Sequence, residues 1–304
     1  MSSPSGAQTE IAAGEQRAVV VEVGGGLRSY RLGDTDLLDG YGPAEMSTSG
    51  RGQVLMPWPN RLEGGSYEFR GRRHQLPLDE PEAGNAIHGF VRWENWTVAE
   101  REASRVVVRH EVHPRPGYPF SLDLSIEYSL SQAGLRVQTT ATNVGLEPCP
   151  FGSGAHPYLT IGTDTIDSVV LRAPCRTVLE ANEHGIPTGR HAVAGTEHDF
   201  LQPRPIGATR LDHAFTDLER DADGVARVEL TPPDGELGLV LWVDESYRWL
   251  MLFTGDPLPD VDRRSLAVEP MTCPPNAFRS TEDVIVLEPG ATFAGVWGLS
   301  PLLS

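Results

Sequence analysis

The stretch FSLDLSIEYSL, residues 120–130, puts Phe120, Leu122, Leu124, Ile126 and Tyr128 on one side of an extended chain and Ser121, Asp123, Ser125 and Glu127 on the other. A side-chain period of two with one apolar face is the signature of a half-buried antiparallel strand. The pattern recurs in RVVVRHEV, GLRVQTTATNV, ARVELT, LGLVLWVD and TFAGVWGL, each bounded by Gly, Pro, Asn or Asp, and no comparable segment sustains an apolar period of 3.6. The 32 Gly and 25 Pro supply turns, and a hydrophobic fraction of 39% supplies a large core. With no break in composition along the chain, the pattern predicts an all-β fold, one large antiparallel β-sandwich over residues 16–304. Residues 1–15, MSSPSGAQTEIAAGE, are small and polar and are expected to form a loose tail.

A formal charge of −17 repels phosphate backbones and anionic lipid surfaces, so neither nucleic acid nor membrane is an expected partner. The N-terminus lacks the basic start and apolar run of a secretory signal, and a cytoplasmic location is expected. Cys149, Cys175 and Cys273 have no CxxC spacing and read as buried free thiols. His110 and His113 lie three apart on a strand and therefore point to opposite faces, which argues against a metal pair. Gly24-Gly25-Gly26 lacks the GxGxxG pattern and reads as a tight turn. No metal and no cofactor is expected, and the sequence does not distinguish a monomer from a homodimer.

Five polar stretches stand out from this strand-rich text. In PWPNRLEGG, Asn60 and Arg61 occupy a Pro- and Gly-flanked connection, where Arg61 either offers its donors to hydroxyl oxygens or makes a surface ion pair. In NAIHGFVRWENW, His88 precedes a permissive Gly89, and Trp93 and Trp96 follow; rings beside a histidine suit the C–H faces of a sugar or, equally, a core. In GAHPYL, Pro157 restricts His156 to extended geometry, and Tyr158 adds a phenol beside it. TRLDHAFTDL places Asp212 and His213 before a short apolar segment, and SLAVEPMTCPPNAF ends a strand-like run on Glu269 before a proline-stiffened loop, a placement suited to lining a cleft.

In this order and spacing, NR, HG, HPY, LDHAF and EP resemble the aldose 1-epimerase (galactose mutarotase) family, from about Arg17 to the C-terminus. The resemblance implies a β-sandwich with a sugar cleft on a concave sheet face. It implies that His156 is the general acid on the ring oxygen and Glu269 the general base on the anomeric hydroxyl, with Arg61, His88 and Asp212 binding sugar hydroxyls. Asn60, Trp93 and Tyr158 are further candidates for contact with the sugar. Reference pKa values of roughly 4.3 and 6.5 would let an ionised Glu269 and a protonated His156 coexist near neutrality.

The implied activity is interconversion of the α and β anomers of a free hexose of glucose or galactose type. Two other readings are weighed against it. A hexose 6-phosphate would need a cationic pocket, for which Arg70, Arg72 and Arg73 form the dense basic group. A non-catalytic sugar-binding or sensing protein would need neither the acid nor the base.

Overall fold

The computed structural model describes residues 3–233 and 237–303. Strands dominate, and among the described residues helix is limited to the short Ala277–Ser280 turn and a 3-10 turn at Val91–Trp93. A nine-stranded antiparallel sheet runs in spatial order Thr97–Arg101, Arg105–Val112, Leu122–Ser131, Gly134–Asn143, Thr292–Leu303, Leu237–Val243, Ala226–Thr231, Val170–Arg172 and Arg204–Pro205. A second large sheet runs Pro187–Ala192, Cys175–Ala181, Asp212–Leu218, Trp249–Phe253, Leu266–Met271, Gly154–Ala155 and Val54–Leu55, with Tyr158–Leu159 also pairing to Leu266–Met271. The expected all-β antiparallel architecture is the one observed. No helix among the described residues is long and apolar enough to cross a membrane.

Period two gives the second sheet two different faces. Leu250, Leu252, Leu266 and Val268 pack into the same apolar cluster as Leu124, Ile126, Leu239 and Leu241 of the nine-stranded sheet. The alternate residues Trp249, Met251 and Met271 join Leu179 and Ala214 in a separate cluster on the opposite face. Glu269 sits opposite Met251 in the register and falls on this second face. The same alternation assigns Asp212 and Ala214 to one face and His213 and Phe215 to the other.

One expectation is corrected. Residues 8–13 are not part of a loose tail: Gln8–Ala13 pairs with Gln16–Val21 from Gln8↔Val21 to Ala13↔Gln16, and Ile11 is fully buried in the core. One large apolar residue among small polar ones shows no periodicity, and the strand is specified by its partner rather than by its own sequence. The short apolar segment after Asp212 and His213 belongs to the strand Asp212–Leu218, which Asp212 begins.

Ile11→Ala is expected to lower stability by about 2–5 kcal/mol, as for other large-to-small core substitutions. Urea unfolding of the variant checks this, and an unchanged midpoint would restore the tail reading.

Candidate active site

A cleft of about 540 Å³ opens on the outer face of the second sheet, and Asn60, Arg61, His88, Trp93, His156, Tyr158, Asp212 and Glu269 all line it. A larger cavity of about 750 Å³, bordered by Asp34, Asp36, Asp39 and Arg264, contains none of these eight residues. The cleft carries the chemically suited groups.

His156 lies where strand pairing is interrupted between Gly154–Ala155 and Tyr158–Leu159. Its backbone is fixed by His156 N–H donating to the Gln53 carbonyl at 3.0 Å and Gly52 N–H donating to the His156 carbonyl at 2.9 Å. The buried ring places Nε2 3.3 Å from Glu269 Oε1, and Tyr158 stacks on it with centroids 4.8 Å apart and planes 15° apart. The Tyr158 hydroxyl donates to the Ser49 carbonyl at 2.7 Å, so Tyr158 offers the cleft its ring rather than a free O–H donor.

His88 is held by reciprocal bonds to Asn60. His88 N–H donates to the Asn60 carbonyl at 3.0 Å, and Asn60 N–H donates to His88 Nδ1 at 3.1 Å. Gly89 follows at φ +65°, and a Cβ there would lie 1.8 Å from the Met56 carbonyl oxygen, so this turn admits only glycine. His88, His156 and Glu269 present ligand-type atoms within 4.8 Å of one another, a grouping that resembles a metal site. The Asn60 bond argues otherwise. It occupies the Nδ1 lone pair of His88, and in the neutral ring the proton then sits on Nε2, which becomes a donor and not a ligand.

Arg61 forms a bidentate pair with Glu80, Nε to Oε2 and Nη2 to Oε1 both at 2.9 Å, and its charge acts on Glu269 and Asp212. Trp93 is half exposed at the cleft wall with the Arg92 guanidinium 5.3 Å from its ring, whereas Trp96 is core. His213 points away, its ring 4.4 Å from that of His198. Arg70, Arg72 and Arg73 lie on the Ser66–Gln75 hairpin, where they contact Glu288, Glu147 and Ser66, and none lines the cleft. Sequence reasoning missed Arg92, Gln53 and the segment Ser47–Gly50, all of which line it. Arg92 adjoins Trp93 in a stretch already singled out, while STSGRGQ reads only as a turn.

Burial governs protonation here. It raises the Glu269 carboxyl well above the usual carboxylate range, with the Asp212 charge adding to the effect and Arg61 opposing it. It lowers His156 to about 3, reinforced by Arg92 and Arg51. Asp212 is reachable by solvent yet crowded by protein, and its carboxyl is also raised, against the pull of Arg61. The ionised Glu269 and protonated His156 suggested by reference values are therefore disfavoured by burial.

The sequence matches the aldose 1-epimerase pattern over residues 8–300, and the chain belongs to that family. It is 37% identical over 287 residues to YihR of Escherichia coli K12, itself uncharacterized, covering 94% of this chain and 90% of YihR. In structure it is similar to a GalM/aldose epimerase homologue from C. elegans, with TM-score 0.87, 16% identity and coverage of 98% and 99% of the two chains. It is also similar to a galactose 1-epimerase from Lactobacillus acidophilus NCFM, with TM-score 0.79, 20% identity and coverage of 95% and 92%.

A histidine held neutral in the native state costs stability wherever the unfolded chain binds the proton. The window opens below the unfolded value of roughly 6.5 and runs down to about 3, with stability falling as pH falls, by at most about 1.4 kcal/mol per pH unit. His156→Gln removes this contribution, so its urea midpoint is expected to fall less than that of the wild type between pH 7 and pH 5. Parallel slopes would show that His156 is not held neutral.

Proposed function

We propose that the protein is an aldose 1-epimerase that opens and recloses the ring of a free hexose of glucose or galactose type by acid–base catalysis. The observation that carries this reading is the 3.3 Å contact between His156 Nε2 and Glu269 Oε1 in a buried cleft floor. Anomer exchange needs one group to take the proton of the C1 hydroxyl while another delivers a proton to the ring oxygen. These two oxygens share one carbon, so both groups must reach the same end of the sugar, as His156 and Glu269 in one cleft floor can. Glu269 takes the hydroxyl proton, His156 protonates the ring oxygen, the C1–ring oxygen bond breaks, and the free aldehyde forms. The carbonyl turns about the C1–C2 bond, and closure on its other face returns both protons.

The pair needs a single proton throughout. Glu269 ionised with His156 protonated, and Glu269 protonated with His156 neutral, are the same composition with the proton moved. Burial favours the second form, which is also the form left after ring opening. The cleft is thus disposed toward the open-chain intermediate, while the Arg61 charge favours the ionised carboxylate. A binding or sensing role would require neither group and would leave this buried, mutually oriented pair without a purpose.

A hexose 6-phosphate is the second reading, and Arg92 is the observation that favours it. Arg70, Arg72 and Arg73 are out of reach, but Arg92 supplies a cation to the cleft wall. Its pairing with Asp79 at 2.6 Å weighs on the side of a neutral sugar.

Exchange NMR of glucose, galactose and glucose 6-phosphate with purified protein decides. Acceleration for a free hexose is expected, with Glu269→Gln and His156→Asn each lowering turnover by about 10²–10⁴-fold while folding is retained. Acceleration of the phosphosugar alone, lost in Arg92→Leu, would install the second reading. Binding without acceleration of any sugar would leave the sensing role.

The pH–rate profile is a separate expectation. Because the pair works with one proton and His156 is lowered to about 3, turnover should stay level through the region near pH 6.5 and fall on the alkaline side as the pair loses its proton. A histidine-type inflection near 6.5 that disappears in His156→Asn would overturn this protonation scheme.

A further inference from the structure

The candidate general acid lacks the usual means of orientation. A catalytic imidazole is ordinarily aligned by a hydrogen bond to its second nitrogen, yet the buried Nδ1 of His156 has no partner outside its own residue among the described residues. Packing takes that part. One face of the ring is covered by the nearly parallel Tyr158 ring. Against the ring also lies Gly50, at φ +80°, so close that a Cβ there would come 2.6 Å from Cδ2 and 2.9 Å from Nε2.

Behind this contact lies a brace. The Tyr158 hydroxyl is tied to the Ser49 carbonyl, and the Arg51 guanidinium stands 5.6 Å from the centre of the Tyr158 ring. Arg51 is buried and donates from Nη1 to Asp260 Oδ2 at 2.9 Å and from Nη2 to the Asp260 carbonyl at 2.6 Å. Asp260 also accepts from the Thr48 hydroxyl at 2.9 Å and the Ser49 hydroxyl at 3.3 Å. One half-exposed carboxylate thus ties segment 48–51, which borders the cleft, to the segment around Pro257 and Leu258 that borders it from the other side.

We propose that Gly50, together with Tyr158 braced by Arg51 and Asp260, is the positioning device that aims His156 Nε2 at Glu269 and at the sugar ring oxygen. This rests on the acid–base reading of the cleft. Gly50 acts by having no side chain, which lets the imidazole lie against backbone. Asp260 acts from outside the cleft by holding segment 48–51 at the distance that keeps Gly50 and Tyr158 against the ring.

The test combines kinetics with ring NMR. In Gly50→Ala the added methyl must displace the imidazole, and kcat is expected to fall on the order of 10²-fold, the penalty for a misplacement of about 1 Å, with KM within about threefold of wild type. Asp260→Ala should lower kcat in the same direction, and Asp260→Asn, which keeps an acceptor oxygen, should recover part of the loss. In the ligand-free protein, the His156 ring 15N resonances should shift in Gly50→Ala while the circular dichroism spectrum is unchanged. A raised KM with unchanged kcat would make Gly50 only a wall of the cleft, and equal losses in Asp260→Ala and Asp260→Asn would remove the brace; either result overturns the corresponding part. If the wild type exchanges no sugar, the acid–base reading fails, and the ring resonances still decide whether Gly50 positions His156.

Discussion

The contact between His156 and Glu269 is the constraint around which the cleft is built. Two titratable groups are removed from water at 3.3 Å, a state that disfavours charge on either. The neighbouring charges act on that cost in opposite directions. Arg61 brings a positive charge toward Glu269 and is itself neutralised by Glu80, and Asp212 pushes the other way. Under the proposed acid–base reading, this balance suits proton transfer in either direction, as a reversible ring opening requires.

This pair can exist because the second sheet has two faces with different work. Leu266 and Val268 on one strand, and Leu250 and Leu252 on the next, hold that sheet against the nine-stranded one, which frees Glu269 and Asp212 on the alternate positions for the cleft. A one-residue slip in register would bury Glu269 among leucines and turn Val268 to the cleft. The apolar side of the sheet therefore fixes the placement of the carboxylates on the polar side. Core stability and site geometry here are one constraint.

Much of this is legible in the sequence because it follows from local rules. FSLDLSIEYSL shows a strand through its own alternation, and Glu269 stands out as a charge at the end of an apolar run. His156 is marked by Pro157, and His88 by the glycine that its turn requires. What is not legible depends on partners distant in the chain. Gln8–Ala13 is a strand only because Gln16–Val21 pairs with it, and Arg92 is a cleft residue only because its segment lies beside Gln53 and His156. Protonation is the clearest case, since reference values describe groups in water and no local pattern states that both members of the pair are buried.

The same distinction explains why segment 47–52 escapes a reading by residue type. Ser47, Thr48, Ser49, Gly50 and Gly52 have no chemistry of their own for ring opening, and STSGRG resembles any polar turn. Their part comes from position: a carbonyl that receives the Tyr158 hydroxyl, hydroxyls that reach Asp260 across more than 200 residues of chain, and a glycine whose missing side chain is occupied by an imidazole. The proposed acid and base can be found by asking which residues move protons. The residues proposed to aim them are found only by asking what touches the faces of the ring, and on those faces small residues exclude alternatives that larger ones would impose.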